Sequence, residues 1–128
     1  MLEKLREKYG EDFSWYEFTG NNLRKQIFEN RLRTELTPEH SLFEKGKDLV
    51  AVAKSERNDD VLFWDGVDYY IVHLTWGKGN AHFPIYKIIH QNDIIEYLEN
   101  DYLFATMSSD EFKKWQPQSK NFSLWLPF

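Results

Sequence analysis

The feature that most constrains the fold is a pair of β-prone runs joined by Asp65-Gly66. The runs are Val61–Trp64 and Tyr69–Trp76, both rich in aromatic and β-branched residues. Asp-Gly between such runs is a strong hairpin signal, because both residue types accept the backbone angles of a tight turn. The sequence therefore predicts two antiparallel strands in which residues near position 60 lie opposite residues near 71–73.

Further strands and flanking helices complete the predicted architecture. Residues 48–55 and Phe83–Ile89 are typical of strands, and Pro84, which has no N–H, favours the start of an edge strand. Amphipathic spacing and capping patterns predict helices over residues 2–9, 23–36, 93–100 and from Ser108 to Pro117. The aromatic run 13–18 is too short for its periodicity to decide between helix and strand.

This order of elements indicates an α+β fold with an antiparallel sheet. We expect one domain over residues 1–128, three or four strands at about residues 48–89, and helices from both ends packed on one face of the sheet. The charge-free tail 122–128 is apolar and is expected to pack, either on its own chain or on another. An exposed strand edge at Pro84 leaves both a monomer and a homodimer open.

Composition excludes several classes of protein. The chain has 128 residues and no cysteine, which excludes a disulfide framework, a thiol nucleophile and a cysteine-based zinc site. No apolar run reaches the roughly 18 residues that a membrane span needs, and no export signal is visible. A cytoplasmic protein without a membrane anchor is therefore expected, and no cofactor motif is present.

The net charge of −5 is unevenly distributed. Residues 58–77 and 88–112 contain no Lys or Arg but ten Asp and Glu residues. Such stretches disfavour nucleic-acid binding, which needs clustered cations. An acidic surface instead suits a basic protein partner, because complementary fields speed encounter. Acidic residues that only keep the protein soluble are the simpler alternative.

Aromatic residues make up 17% of the chain, and some of them fall beside the acidic turn residues. Alternation along the second strand predicts a core face and a half-polar face; the core face carries Tyr70, Val72, Leu74 and Trp76, and the half-polar face carries Tyr69, Ile71, His73 and Thr75. Tyr and Trp are enriched at binding hot spots, although most aromatic residues of a small domain fill its core. The predicted partner-binding residues are Asp59, Asp60, Trp64, Asp65, Asp68 and Tyr69.

An enzymatic alternative rests on Glu56, Asp60 and His73. The hairpin places Asp60 near His73, and a carboxylate that orients a histidine is the working unit of general-base catalysis. These three residues are the candidate catalytic set of a small hydrolase or metal-dependent enzyme, although an Asp that caps a turn and a structural His explain the same pattern. The spacing of His40, His73, His82 and His90 fits no metal-site template, so no metal ligand is assigned. Gly77-Lys78-Gly79 lacks the remaining residues of a phosphate-binding loop and indicates a flexible connection.

Three short motifs carry a resemblance to a known group. They are T-P-E-H-S-L at 37–42, D-D-V-L-F at 59–63 and V-H-L-T-W at 72–76. Together they resemble a group of small uncharacterised bacterial proteins over residues 37–76. The resemblance implies a bacterial origin and places these positions in the sheet core and its adjoining turn, but it implies no activity and no catalytic residue. Two hypotheses follow: a non-enzymatic, immunity-protein-like module that binds a basic protein, and the small enzyme described above.

Overall fold

The computed structural model describes residues 1–20 and 22–106. The helix predicted from Ser108 and the apolar tail 122–128 lie outside these residues. The elements are α1 (Glu3–Tyr9), a 3₁₀ turn (Gly10–Asp12), β1 (Trp15–Glu17), α2 (Leu23–Glu35), α3 (Phe43–Gly46), β2 (Val50–Ser55), β3 (Asp60–Trp64), β4 (Asp68–His73), β5 (Ile85–His90) and α4 (Ile94–Thr106).

The strands form one antiparallel sheet in the order β1-β2-β3-β4-β5, which confirms the α+β prediction. The Asp65-Gly66 hairpin is present, with Gly66 at a φ of 100° and Asp60 paired with His73. The prediction of three or four strands is wrong, because the described residues already form five. The additional strand is β1, whose Trp15 pairs with Ser55 far along the chain. Local periodicity cannot reveal such a pairing.

Helices cover both faces of the sheet. On one face, called the α4 face, residues of α1 and α4 such as Leu5 and Leu98 pack with Leu62 and Ile71 of the sheet. On the other, called the α2 face, α2 and the segment 36–49 pack against inward residues such as Val72. The prediction that helices from both ends share one face holds for α1 and α4 but is wrong for α2. The face predicted to be half-polar is therefore largely covered by helices.

Helix boundaries follow from their caps. The Asn22 side chain accepts a hydrogen bond from the Arg24 N–H at 2.8 Å and starts α2. Gly10, at a φ of 72°, ends α1 as predicted. α2 ends at Glu35, just before the Thr37-Pro38 stop. Within the described ranges, none of the helices is long and apolar enough to span a bilayer.

The second strand of the hairpin is shorter than predicted. β4 ends at His73, and Trp76 adopts a φ of 56° in the loop that follows. Tyr70, Val72 and Leu74 are buried as expected, but Trp76 is 48% exposed, so its assignment to the core is wrong. The alternation of the strand no longer applies once the chain leaves the sheet at His73.

Candidate functional site

Asp60 and His73 form a hydrogen-bonded pair at the end of β3 and β4. Their Cα atoms are register partners, and Asp60 Oδ1 lies 2.6 Å from His73 Nδ1. Asp60 is only 1% exposed, and this burial raises its pKa even though the imidazole acts in the opposite direction. When Asp60 is ionised it only accepts hydrogen bonds, so Nδ1 then donates, and Nε2 is the acceptor of the neutral ring. The His73 side chain is 41% exposed.

Polar side chains from β5 and α4 surround this pair. Lys87 Nζ lies 3.3 Å from the Tyr97 hydroxyl, and burial lowers the pKa of Lys87 and raises that of Tyr97. Asp101 accepts hydrogen bonds from the Trp15 indole at 3.0 Å and from Arg57 at 3.1 Å. Asp101 also lies close enough to Asp60 for its charge to raise the Asp60 pKa further.

Glu56 is not part of this arrangement. It is exposed, and its backbone N–H donates to the Ser14 carbonyl beside β1. Among the described residues, no hydrogen bond or ion pair joins the Glu56 side chain to Asp60 or His73. The structure therefore assembles two of the three candidate catalytic residues.

Histidines and carboxylates do not gather into a metal site in the part of the chain that the structure describes. His40 is buried and has a structural role: Nε2 donates to the Pro84 carbonyl at 2.7 Å, and Nδ1 accepts from the Leu42 N–H at 3.0 Å. It ties the segment after α2 to the start of β5. His82 lies in the β4–β5 loop, and His90 ends β5.

Trp76 is an exposed aromatic residue that the fold holds in place. Its indole Nε1–H donates to Asp59 Oδ1 at 3.2 Å. The Arg31 guanidinium lies 5.4 Å from the ring centroid, and Phe28 meets the ring edge-on at 6.1 Å. A positive φ is unusual for a bulky side chain and costs free energy, so the surrounding contacts must enforce it.

The loop that carries Trp76 is fixed by Glu35, the last residue of α2. Glu35 is fully buried, and its carboxylate accepts from the Thr75 N–H at 2.7 Å, the Thr75 hydroxyl at 2.8 Å and the Trp76 N–H at 2.9 Å. Arg31 completes the arrangement with a 2.7 Å ion pair to Glu35 and a hydrogen bond to the Gly77 carbonyl. Gly79 passes so close to Glu35 that a Cβ there would overlap the Glu35 carbonyl.

Glu35 is not among the candidate residues that the sequence predicts. One signal was available: an acidic residue in the last turn of a helix opposes the helix dipole. Its placement there indicates that the carboxylate has partners outside the helix.

Four of the predicted partner-binding residues lie at the opposite end of the hairpin. The rings of Trp64 and Tyr69 are 4.5 Å apart and half-buried. The Asp65 carboxylate caps the turn by accepting a hydrogen bond from the Asp68 N–H. This hydrogen bond is the main cause that lowers the Asp65 pKa, and the ion pair with Lys45 lowers it further. The four residues 61–64 separate Asp65 from Asp60, which is a span of roughly 16 Å at about 3.3 Å per residue step.

The six predicted partner-binding residues therefore do not form one surface. Asp60 is buried, so its assignment as a contact residue is corrected to an internal partner of His73. Asp59 is exposed and lies beside Trp76. The group at this end of the sheet is called the Asp59–Trp76 corner, and its members are Asp59, Asp60, His73, Thr75 and Trp76.

Comparisons of the chain with protein-family models, with curated proteins and with solved structures found no match. The resemblance to small bacterial proteins thus stays a prediction, and the site is interpreted from its own geometry.

Proposed function

We propose that this chain is a non-enzymatic protein-binding module whose contact surface is centred on Trp76. The observation that carries the proposal is the presentation of this side chain. Trp76 remains 48% exposed while Glu35, Arg31 and Asp59 hold its backbone and ring. A folded chain gains nothing for its core from a strained, exposed tryptophan, and strain of this kind clusters at functional sites.

The surface near Trp76 has the composition of a binding hot spot. Ile27 and Leu23 are exposed and lie one and two helical turns before Arg31, whose guanidinium lies over the indole. Rigid aromatic anchors with apolar neighbours and a charged rim dominate the energetics of protein interfaces. A fixed side chain also loses little conformational entropy when it binds.

The proposed partner is a basic protein, in the manner of a bacterial immunity protein that neutralises a basic toxin. The net charge of −5 supports this choice, because a complementary field raises the association rate. Asp59 is the acidic residue of the predicted set that lies in this surface.

The test is quantitative capture of proteins from the native host with wild type, Trp76→Gly and Phe83→Ala. Phe83 is a matched control because it is also 48% exposed and lies in the same loop. We expect a stoichiometric basic protein with wild type and Phe83→Ala, and its loss with Trp76→Gly. Equal capture by all three variants, or none by any, contradicts the proposal.

A second candidate function is general-base catalysis by His73, supported by the 2.6 Å bond to a buried carboxylate. In this function Nε2 would take a proton from the water that attacks an ester. The test is hydrolysis of p-nitrophenyl acetate by wild type, His73→Gln and the control His82→Gln. Loss of roughly 100-fold or more in His73→Gln alone supports this function, and equal rates refute it.

A further inference from the structure

The carboxylate of Asp59 is oriented but not neutralised. One oxygen, Oδ1, accepts the indole N–H of Trp76, and the residue is exposed. Its other oxygen receives no hydrogen bond, and the side chain has no ion pair, from any residue in the described ranges. An indole N–H is a neutral donor, so it adds no counter-charge to the carboxylate, and Lys54 acts on Asp59 only through its electrostatic field.

The nearest cations are already committed elsewhere. Lys54 Nζ donates to the carbonyls of Ser55 and Asn58, and burial lowers its pKa. Arg31 donates to Glu35 and to the Gly77 carbonyl. Both cations therefore stabilise internal loops. Lys54 acts on Asp59 through its field and Arg31 lies over the Trp76 ring, but neither forms an ion pair with Asp59.

We infer that Asp59 and Trp76 together receive an arginine side chain of the partner, an inference that rests on the proposed function. A guanidinium is planar, bonds a carboxylate with paired N–H groups and stacks on an indole. Arg31 already lies over the Trp76 ring, 5.4 Å from its centroid, so the inference places the partner's guanidinium on the opposite face. Lysine fits less well, because its compact, strongly hydrated ammonium neither stacks nor bonds in a fork.

The same corner also explains why a neutral ligand is a poorer match. An apolar group laid on the indole would leave the Asp59 carboxylate partly desolvated without a counter-charge, which is unfavourable. An arginine satisfies both features at once. The expected interface therefore combines one stacked ring with one charge-assisted hydrogen bond.

The experiment is an NMR titration that follows the indole Nε1–H signal of Trp76, assigned from the spectrum of Trp76→Phe. The probes are acetyl-Gly-Arg-Gly-amide, its citrulline analogue, which has nearly the same shape without the charge, and its lysine analogue. We expect a saturable shift with the arginine peptide, a markedly weaker one with lysine and none with citrulline.

Asp59→Asn is the matched variant, because asparagine keeps an acceptor for the indole and removes the charge. We expect the arginine response to fall at least tenfold while the rest of the spectrum is unchanged. The inference is overturned if wild type does not respond to the arginine peptide, or responds equally to the citrulline or the lysine peptide. It is also overturned if Asp59→Asn responds to the arginine peptide as strongly as wild type does. The proposed function is tested separately, because it depends on how much partner wild type and Trp76→Gly each capture and not on these peptide titrations.

Discussion

Replacing Glu35 by glutamine is the perturbation that the structure constrains most tightly. The carboxylate serves four donors with its two oxygens: Thr75 twice and Arg31 and Trp76 once each. Glutamine has the same shape but only one acceptor oxygen. Its amide group must therefore face two of the donors, and these lose their acceptor in a buried place.

The expected cost follows from this count. A buried donor left without a partner costs about 1–3 kcal/mol, so two of them cost roughly 2–6 kcal/mol. For a chain of this length 1 kcal/mol corresponds to about 4 °C in the melting temperature, so Glu35→Gln is expected to lower it by roughly 8–24 °C. The Trp76 backbone loses the contact that opposes its strain, and we expect partner capture to weaken with it.

Thermal unfolding followed by circular dichroism measures the effect, with Glu44→Gln as the control. Glu44 is 87% exposed and pairs only with Lys47, at 3.9 Å. Its replacement should leave the melting temperature nearly unchanged. If Glu35→Gln and Glu44→Gln have the same melting temperature, the role assigned to the buried carboxylate is refuted.

Three further predictions concern the loop, the turn and the exposed ring. Gly79→Ala should destabilise the fold by roughly 1–3 kcal/mol more than Gly77→Ala, because only a Cβ at position 79 overlaps the Glu35 backbone. Urea unfolding measures the difference, and equal unfolding midpoints would contradict this prediction. Asp65 has a pKa that is lower in the folded than in the unfolded state, so its contribution to stability is complete above about pH 4 and is lost as the pH falls further. Asp65→Asn should therefore be less stable than wild type at neutral pH, with a gap that narrows in acid; a constant gap would argue against the ion pair and hydrogen bonds of this turn. Trp76→Gly relieves a positive φ but loses the Arg31 and Phe28 contacts, so its melting temperature should stay within a few degrees of wild type; a large drop would mean that the ring is structural.

Local signals were sufficient to predict much of the fold. Asp65-Gly66 fixed the hairpin, and because register follows from the turn, the Asp60–His73 contact was also predictable. Gly10 and the Thr37-Pro38 stop marked the ends of α1 and α2. Each of these signals acts through the backbone angles of one or two residues, so no knowledge of distant contacts was needed.

The features that escaped prediction depend on long-range packing. β1 exists because Trp15 pairs with Ser55, forty residues away. Trp76 follows the strand alternation in sequence, but Glu35 and Arg31 of a distant helix, together with Asp59, hold it outside the core. Asp59 is exposed and Asp60 is buried although they are neighbours in sequence. This difference likewise depends on the packing around each side chain.

The dissociation constant of the captured partner, compared between wild type and Trp76→Gly, tests the central claim most directly. Hot-spot residues contribute about 2 kcal/mol or more, which is roughly a 30-fold change in affinity. We predict at least this weakening for Trp76→Gly and less than a threefold change for Phe83→Ala. A Trp76→Gly protein that binds the partner as tightly as wild type would contradict the account.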